Sequence, residues 1–276
     1  MTIELFYSGI LQGLIIAIIA FGIMIPFRFL NFPDLTAEGA YPLGGAVCAS
    51  LIAAGIPQIV AIMGGIIAGG FMALCTAQVA LRLKVNSLLA GIILSTMAYS
   101  VNLRIMGKPN MALFDMGGLT FDVITLIIVL MICITPFALF LHTDFGLNFR
   151  TIGHNPKFAV NQGIRVNAYT SLGLFIAGSM FGLAGSLMVQ IQQFMDVGIG
   201  VGILIHGLAG LMIGESIVGN STIAKQLAAP IIGALIYQQI HGMALSLGLS
   251  PSDLKFFTGS IVLIVIAIQK RGNDAL

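Results

Sequence analysis

Long uncharged stretches alternate with short polar ones along this chain of 276 residues. A helix needs roughly 20 apolar residues to cross about 30 Å of hydrocarbon, and runs of that order recur. The first covers residues 5–27 and is closed by Arg28. The uncharged stretch 39–81 is twice as long, and Gly55-Ile56-Pro57 supplies a turn that divides it into two. Runs at 85–103, 123–141 and 166–193 follow, then 197–213, 226–247 and 252–269. Ser250 is placed to cap the last of these, with Pro251 at its first helical position. The pattern predicts an all-α fold, a polytopic transmembrane helix bundle of about nine membrane segments. Segment 197–213 carries Gly198, Gly200, Gly202, Gly207 and Gly210, so a broken or re-entrant helix competes there with a straight span.

Composition supports lipid as the solvent. Apolar residues make up 58% of the chain, charged residues 8%, and the mean hydropathy is +1.05. Twenty-two charged side chains cannot coat a soluble core of this size, and the expectation is one transmembrane domain over residues 1–276 embedded in a lipid bilayer. The net charge is only +2 and its basic residues are scattered, which argues against nucleic acid as a partner. Cys48, Cys75 and Cys133 each stand alone in apolar stretches, without metal or disulfide spacing. The first apolar run is too long for a signal-peptide core and is expected to remain as a span. Small residues four apart recur at Gly9 and Gly13, Gly65 and Gly69, Gly178 and Gly182, Gly198 and Gly202, and Gly210 and Gly214. That spacing lets helix backbones approach closely in a membrane.

Lys and Arg in short loops are retained on the cytoplasmic side. Alternating the runs from an outside N-terminus puts Arg28, Arg82, Lys84, Arg150, Lys157, Arg165, Lys225, Lys270 and Arg271 inside, against Arg104, Lys108 and Lys255 outside. The opposite orientation inverts the bias. A segment 197–213 that returned to its own side would also put Lys270 and Arg271 outside.

The longest polar connection, 142–165, contains sharp helix punctuation. Asn155 is a good N-cap, Pro156 fits the first helical position, and Gly163 fits the residue that ends the helix in a left-handed conformation. The spacing predicts a short cytoplasmic helix over 156–162, about 10 Å long. So short a helix is unstable alone in water, and Phe158, Ala159 and Val160 offer an apolar surface for docking on a partner or on the rest of the chain.

These residues carry a resemblance. Arg150-Thr151-Ile152-Gly153 to Asn155, then Lys157 to Ile164 with Ala159 and the Gly163-Ile164 pair, followed by a Gly- and Ala-rich span, resemble the coupling loop of ABC permeases of the branched-chain amino acid and ribose importer group. A second stretch, from Leu30 through Asp34-Leu35-Thr36 to Gly44, is similar to the entry of the second helix in permeases of tryptophan- and tyrosine-type uptake systems, departing from it at Pro33 and at Tyr41-Pro42. The resemblance implies a permease subunit of an importer in the inner (plasma) membrane. It implies a permease homodimer, a cytoplasmic ABC ATPase and an extracytoplasmic solute-binding protein, with an amino acid as the favoured solute class. Gly153, His154, Asn155, Pro156, Lys157, Phe158, Ala159, Val160, Gly163 and Ile164 would then form the ATPase-coupling element. The chain lacks a phosphate-loop motif, so ATP would be used by the partner subunit and no cofactor is expected here.

Ionisable and strongly polar groups within spans are functional candidates. Glu38, Tyr41, Asn86, Asn102, Gln190 and His206 are the candidates for the translocation pathway, with helix packing or an interfacial position as the competing role for each. Asp34 is expected to cap the second helix, with Thr36 as the competitor. Glu38 and Glu215 fall near predicted span ends, so the sequence offers no evident midplane carboxylate of the kind an ion-coupled carrier needs. A secondary transporter or channel is the main alternative. An intramembrane enzyme is disfavoured, because no H-E-x-x-H, paired membrane carboxylates or convincing Ser and His spacing is present.

Overall fold

The computed structural model describes residues 3–114, 121–248, 253, 256, 258–264 and 267. Ten α-helices have both ends within these residues: α1 (Ile3–Met24), α2 (Ala37–Ala53), α3 (Gln58–Leu83), α4 (Ser87–Met106), α5 (Val123–Leu141), α6 (Asp144–His154), α7 (Pro156–Asn161), α8 (Val166–Gln192), α9 (Ile203–Val218) and α10 (Ile223–Ser246). Helix α1 continues into a π-helical turn, Ile25–Phe29, that contains Pro26. Among the described residues, six helical segments are long and apolar enough to cross a membrane: Glu4–Phe29, Gln58–Leu83, Ser87–Met106, Val123–Leu141, Val166–Gln192 and Val197–Val218. Six of about nine expected segments are thus supported by length and composition. Of the expected span 252–269, residues 258–264 are helical, while its caps Ser250 and Pro251 lie outside the described residues.

Two expectations need correction, and of the alternatives for segment 197–213 the broken helix is the one observed. The fold is nearly all-helical instead of strictly all-α, because β1 (Asn110–Ala112) pairs antiparallel with β2 (Phe194–Asp196), Met111 standing opposite Met195. Both methionines are buried, and strands of three residues leave no periodicity to read. Segment 197–213 begins as a 3-10 turn, Val197–Gly200, and becomes helical only at Ile203, after Gly202 takes a left-handed φ of +85°. The helix then runs on to Val218, five residues past the expected end. Finally, connection 142–165 holds two helices. Thr143 caps α6, its hydroxyl accepting from the Gly146 N–H at 3.3 Å, and the side chains of Phe149 and Ile152 form a buried face.

The chain groups into two compact units. The first comprises Met1–Phe21, Asp122–Ile134 and Gly202–Leu276. Within it α9 and α10 pack backbone to backbone: a Cβ on Gly214 would overlap the Ala229 carbonyl, and one on Gly233 would overlap the Gly210 carbonyl. The Gln238 amide donates to Gln12 Oε1 at 2.7 Å, tying α10 to the middle of α1.

The second unit comprises Gly22–Phe121 and Thr135–Val201. Its core is a tight triple contact of α2, α3 and α8 through facing glycines. A Cβ on Gly44 would meet Gly182, one on Gly69 would stand 2.8 Å from Gly182 Cα, and one on Gly185 would overlap the Tyr41 carbonyl. At one end of this unit Ser50 donates to the Ile105 carbonyl at 3.1 Å, and Leu113 N–H donates to the Gln193 carbonyl at 2.9 Å. At the other end Gln78 donates to Ser171 at 3.2 Å, and Gly173 packs against Leu30 and Phe149. Six of the unit's Lys and Arg residues belong to this second end (Arg28, Arg82, Lys84, Arg150, Lys157 and Arg165), against Arg104 and Lys108 at the first.

Candidate functional site

The connection between α5 and α8 is built to project from the second unit. Asn155 is extended and its side chain accepts from the Phe158 N–H at 3.0 Å, with Pro156 at the first position of α7. At the other end Gly163 adopts φ +76°, donates to the Val160 carbonyl at 2.9 Å, and lets Ile164 N–H reach the Ala159 carbonyl at 3.0 Å. That pair of bonds is the Schellman stop, and it needs the left-handed residue. The helix therefore starts and ends where its capping residues dictate. Ala159 is fully buried, while Phe158 and Val160 stay 50% and 60% exposed. His154, Lys157 and Asn155 are exposed and Ile164 is half-buried.

An aromatic cluster ties this connection to the helices above it. The Phe149 ring of α6 lies 5.7 Å from Phe140, 6.4 Å from Phe137 and 6.4 Å from Phe29, and Phe29 is edge-on to Phe137 at 5.8 Å. Gly153 sits against the Phe29 carbonyl, where a Cβ would overlap it. The π turn, the end of α5, α6 and the start of α8 are therefore joined through one packed knot. Beside it α6, α7 and α8 enclose an open groove of about 830 Å³ whose lining includes Phe145, Phe158, Ile164, Arg165, Tyr169 and Leu172.

The second helix begins inside the bundle. Residues 31–35 lie outside any helix or strand, with Asn31 at a left-handed φ of +49°, and α2 starts only at Ala37. Its first turn packs beside Ser95: the Ser95 hydroxyl donates to the Leu35 carbonyl at 3.2 Å, and a Cβ on Gly39 would stand 2.7 Å from Ser95 Cα. Ser95 is eight residues into α4, about 12 Å from its start. Glu38 is therefore not at a span end as the apolar runs suggested. Asp34 is also interior, at 2% exposure. It does not cap α2 directly: Thr36 is the residue flanking the helix, and Asp34 Oδ1 accepts from the Thr36 N–H at 3.0 Å and from the Thr36 hydroxyl. The Thr36 and Thr76 hydroxyl oxygens lie 3.0 Å apart. Non-helical backbone at this depth is tolerated where protein surrounds it or where it lines a cavity.

Such a cavity lies between α2, α4 and the 3-10 turn. It measures about 170 Å³ and is lined by Glu38 and Pro42, by Ser95, Thr96, Tyr99 and Asn102, and by the turn from Val197 to Val201. Two of the six pathway candidates, Glu38 and Asn102, meet there. The Asn102 side chain is fully buried, and neither its Nδ2 nor its Oδ1 has a partner. Each buried polar group left unmatched costs about 1–3 kcal/mol. Pro42 gives no N–H to the Glu38 carbonyl, and Gly200 approaches that carbonyl so closely that a Cβ would overlap it.

The other candidates are dispersed. Tyr41 is buried with its hydroxyl unpartnered, and its carbonyl faces Gly185. Gln190 is buried with its amide 4.0 Å from Cys48 Sγ. Asn86 is the N-cap of α4, accepting from the Leu88 N–H at 2.9 Å, a local structural task that accounts for it. In the first unit His206 Nδ1 lies 2.6 Å from the Tyr237 hydroxyl, which in turn is 3.0 Å from Thr258 Oγ1. Ser95, Thr96 and Tyr99 were not singled out from the sequence, and Gly200 stood out only as one of the glycines of segment 197–213. Thr96, Tyr99 and Asn102 fall at helical spacing on one face of α4, and that spacing is the available clue.

Comparison with known proteins places the chain. Residues 5–267 match the family described as branched-chain amino acid transport system, permease component. The chain is 35% identical over 274 residues to the tyrosine transport system permease protein of Clostridioides difficile, a match covering 96% of this chain and 92% of that one. It is 32% identical over 270 residues to an uncharacterized protein of Rickettsia prowazekii, covering 94% and 96% respectively. Among solved structures, an inward-facing conformation of a metal-chelate type ABC transporter matches with a TM-score of 0.55 at 15% identity, covering 94% of this chain and 83% of that one. At that identity the likeness shows a shared fold.

Proposed function

The chain belongs to the branched-chain amino acid transport system permease family, and from that premise we propose that α6 and α7 are the element through which it takes up the work of a cytoplasmic ABC ATPase. It is a membrane-embedded permease component of an ABC transporter. The carrier or channel alternative is not favoured by this membership. The observation that carries the coupling role is the knot around Phe149, which links an exposed, doubly capped helix to the ends of three bilayer-spanning elements. A push on Phe158 and Val160 is passed to α5, to α8 and to the π turn of α1 instead of being lost in a loose loop. Packed elements of this kind move as rigid bodies between discrete arrangements.

In the proposed cycle, two copies of the permease pair across the inner membrane, each with about nine spans forming one permease domain. An extracytoplasmic binding protein delivers the solute, and ATP is bound and hydrolysed in the partner subunit. The bias of basic residues toward the end that bears α6 and α7 supports a cytoplasmic position for that end. The solute is an amino acid, with tyrosine the first to test, because the Clostridioides difficile relative is described as a tyrosine transport permease.

The test is purification of the tagged permease with its ATPase, followed by reconstitution with the binding protein. Wild type retains a P-loop ATPase and shows tyrosine uptake that depends on ATP. Phe158→Asp inserts normally but loses the ATPase on purification and loses at least nine-tenths of uptake. Undiminished uptake by that variant would remove the coupling role from α7.

A further inference from the structure

We propose that the groove between α6, α7 and α8 is a binding site for one anionic phospholipid of the surrounding leaflet, its phosphate held at Arg165 and Tyr169 and its acyl chains running toward Leu172. The proposal goes beyond the coupling role of α7 and does not depend on which solute the permease moves. The groove measures about 830 Å³, within the range of roughly 300–1,000 Å³ that holds a small-molecule ligand. Its lining residues all belong to the second unit.

The polar part of the wall asks for an anion. Arg165, exposed at the N-cap of α8, is the charged residue of the lining, and neither Asp nor Glu stands among the lining residues to neutralise it. Asn148 of α6 donates from Nδ2 to the Tyr169 hydroxyl of α8 at 3.4 Å. That bond occupies a lone pair of Tyr169 and leaves its O–H proton, with the second amide proton of Asn148, for an acceptor in the groove. The Thr151 hydroxyl is committed to the Leu147 carbonyl at 2.8 Å. A guanidinium, a phenol and an amide on the wall of one groove suit a phosphodiester, whose oxygens only accept.

Depth separates a lipid from a soluble partner. Arg165, Ala168, Tyr169 and Leu172 recur at intervals of three and four, along one face of α8. The segment able to cross the bilayer begins at Val166, so Arg165 stands at its threshold and Leu172 lies roughly 10 Å further along the helix axis. The wall thus passes from charge to phenol to hydrocarbon, in the order that a phospholipid does. A cytoplasmic ATPase reaches Arg165 and Phe158 from water but does not reach Leu172. A soluble organic phosphate uses Arg165 and leaves Phe145 and Leu172, at 64% and 43% exposure, uncovered. Basic pockets between membrane helices take anionic lipid head groups by this combination of charge and depth.

The chain contains no tryptophan, so Leu172→Trp supplies a lone fluorophore at the deep end of the groove. The full-length variant is reconstituted in phosphatidylcholine vesicles that carry a minor fraction of lipid brominated on its acyl chains, as phosphatidylglycerol in one set and as phosphatidylcholine in the other. Brominated phosphatidylglycerol quenches the emission of Leu172→Trp at least threefold more than the same fraction of brominated phosphatidylcholine. Ile132→Trp, at an exposed position of α5, is quenched alike by both and reports the bulk lipid. In the Leu172→Trp background, Arg165→Gln abolishes the preference, Arg165→Lys keeps most of it, and Tyr169→Phe at least halves it. Millimolar glycerol 3-phosphate leaves the quenching unchanged. Equal quenching of Leu172→Trp by the two lipids, or a preference that survives Arg165→Gln, overturns the site. Relief by glycerol 3-phosphate assigns the groove to a free phosphate, and the absence of quenching by either lipid assigns it to a covering protein; each of these overturns the lipid as well. None of these outcomes touches the coupling role, which is read from uptake.

Discussion

Gly182 and Gly65 face each other across the contact of α8 with α3, so closely that a Cβ on Gly182 would overlap the Gly65 carbonyl oxygen. Backbone itself is the obstruction there, and backbone cannot rotate out of the way. Gly182→Leu is expected to lower the thermal midpoint in detergent by an amount corresponding to about 1–3 kcal/mol or more, the usual cost of overpacking. Gly259→Ala is the control, since no atom of the described residues lies within 4 Å of a Cβ added there. Its midpoint should stay unchanged.

Phe149 is fully buried among Phe29, Phe137 and Phe140. Phe149→Ala removes the centre of that cluster, and large-to-small changes of this kind cost about 3–5 kcal/mol. If the cluster transmits force, loss of coupling exceeds loss of stability. The expected result is a complex that still hydrolyses ATP yet transports less solute per ATP, measured on protein that remains monodisperse at the assay temperature.

Gly163→Val places a β-branched residue at φ +76°, a left-handed conformation that costs L-residues roughly 1–2 kcal/mol. Asn155→Ala removes the cap bond to the Phe158 N–H and costs about 1 kcal/mol. A helix of six residues has little to set against either loss. Both variants are expected to weaken ATPase retention on purification, and the double variant more than either single one. Equal retention in all of them would mean that α7 need not be formed to dock.

Much of this connection was legible in the sequence, because caps are local: Asn155, Pro156 and Gly163 act on neighbours within four residues. The order of the apolar runs and the Gly55 turn between α2 and α3 followed for the same reason. Helix α6 was missed because its buried face is only Phe149, Ile152 and Gly146, too sparse to stand out in a stretch of mixed polarity. The interior start of α2 was missed because an uncharged run reports apolar length and not depth. Neither the cavity nor the pairing of β1 with β2 could be read, since they join residues roughly 55 to 165 positions apart that only the folded chain brings together.

Asn86 was a pathway candidate by residue type alone, and its side chain instead accepts from the Leu88 N–H. Asn86→Ala is expected to cost about 1 kcal/mol of stability through the lost cap, whereas Asn86→Asp keeps the acceptor and the stability. Neither should change which amino acids the reconstituted complex transports. A change in solute preference in the Asp variant would return Asn86 to the pathway.

The buried carboxylate of Asp34 reopens a question that the sequence alone had answered through the apparent lack of any such group. An ion-coupled carrier needs a carboxylate whose charge changes during the cycle, and Asn cannot supply it. Here Asp34 Oδ1 serves Thr36 through the N–H and the hydroxyl, a turn that Asn can also make. Asp34→Asn should therefore retain ATP-driven uptake within a few-fold of wild type. Asp34→Ala, which strands the Thr36 N–H, should lose about 1–3 kcal/mol of stability. Uptake driven by an imposed proton or sodium gradient without ATP, and abolished by Asp34→Asn, would instead assign the carboxylate a coupling ion. Because that variant preserves the turn, loss of uptake in it would report on the lost charge and not on a collapsed entry to α2.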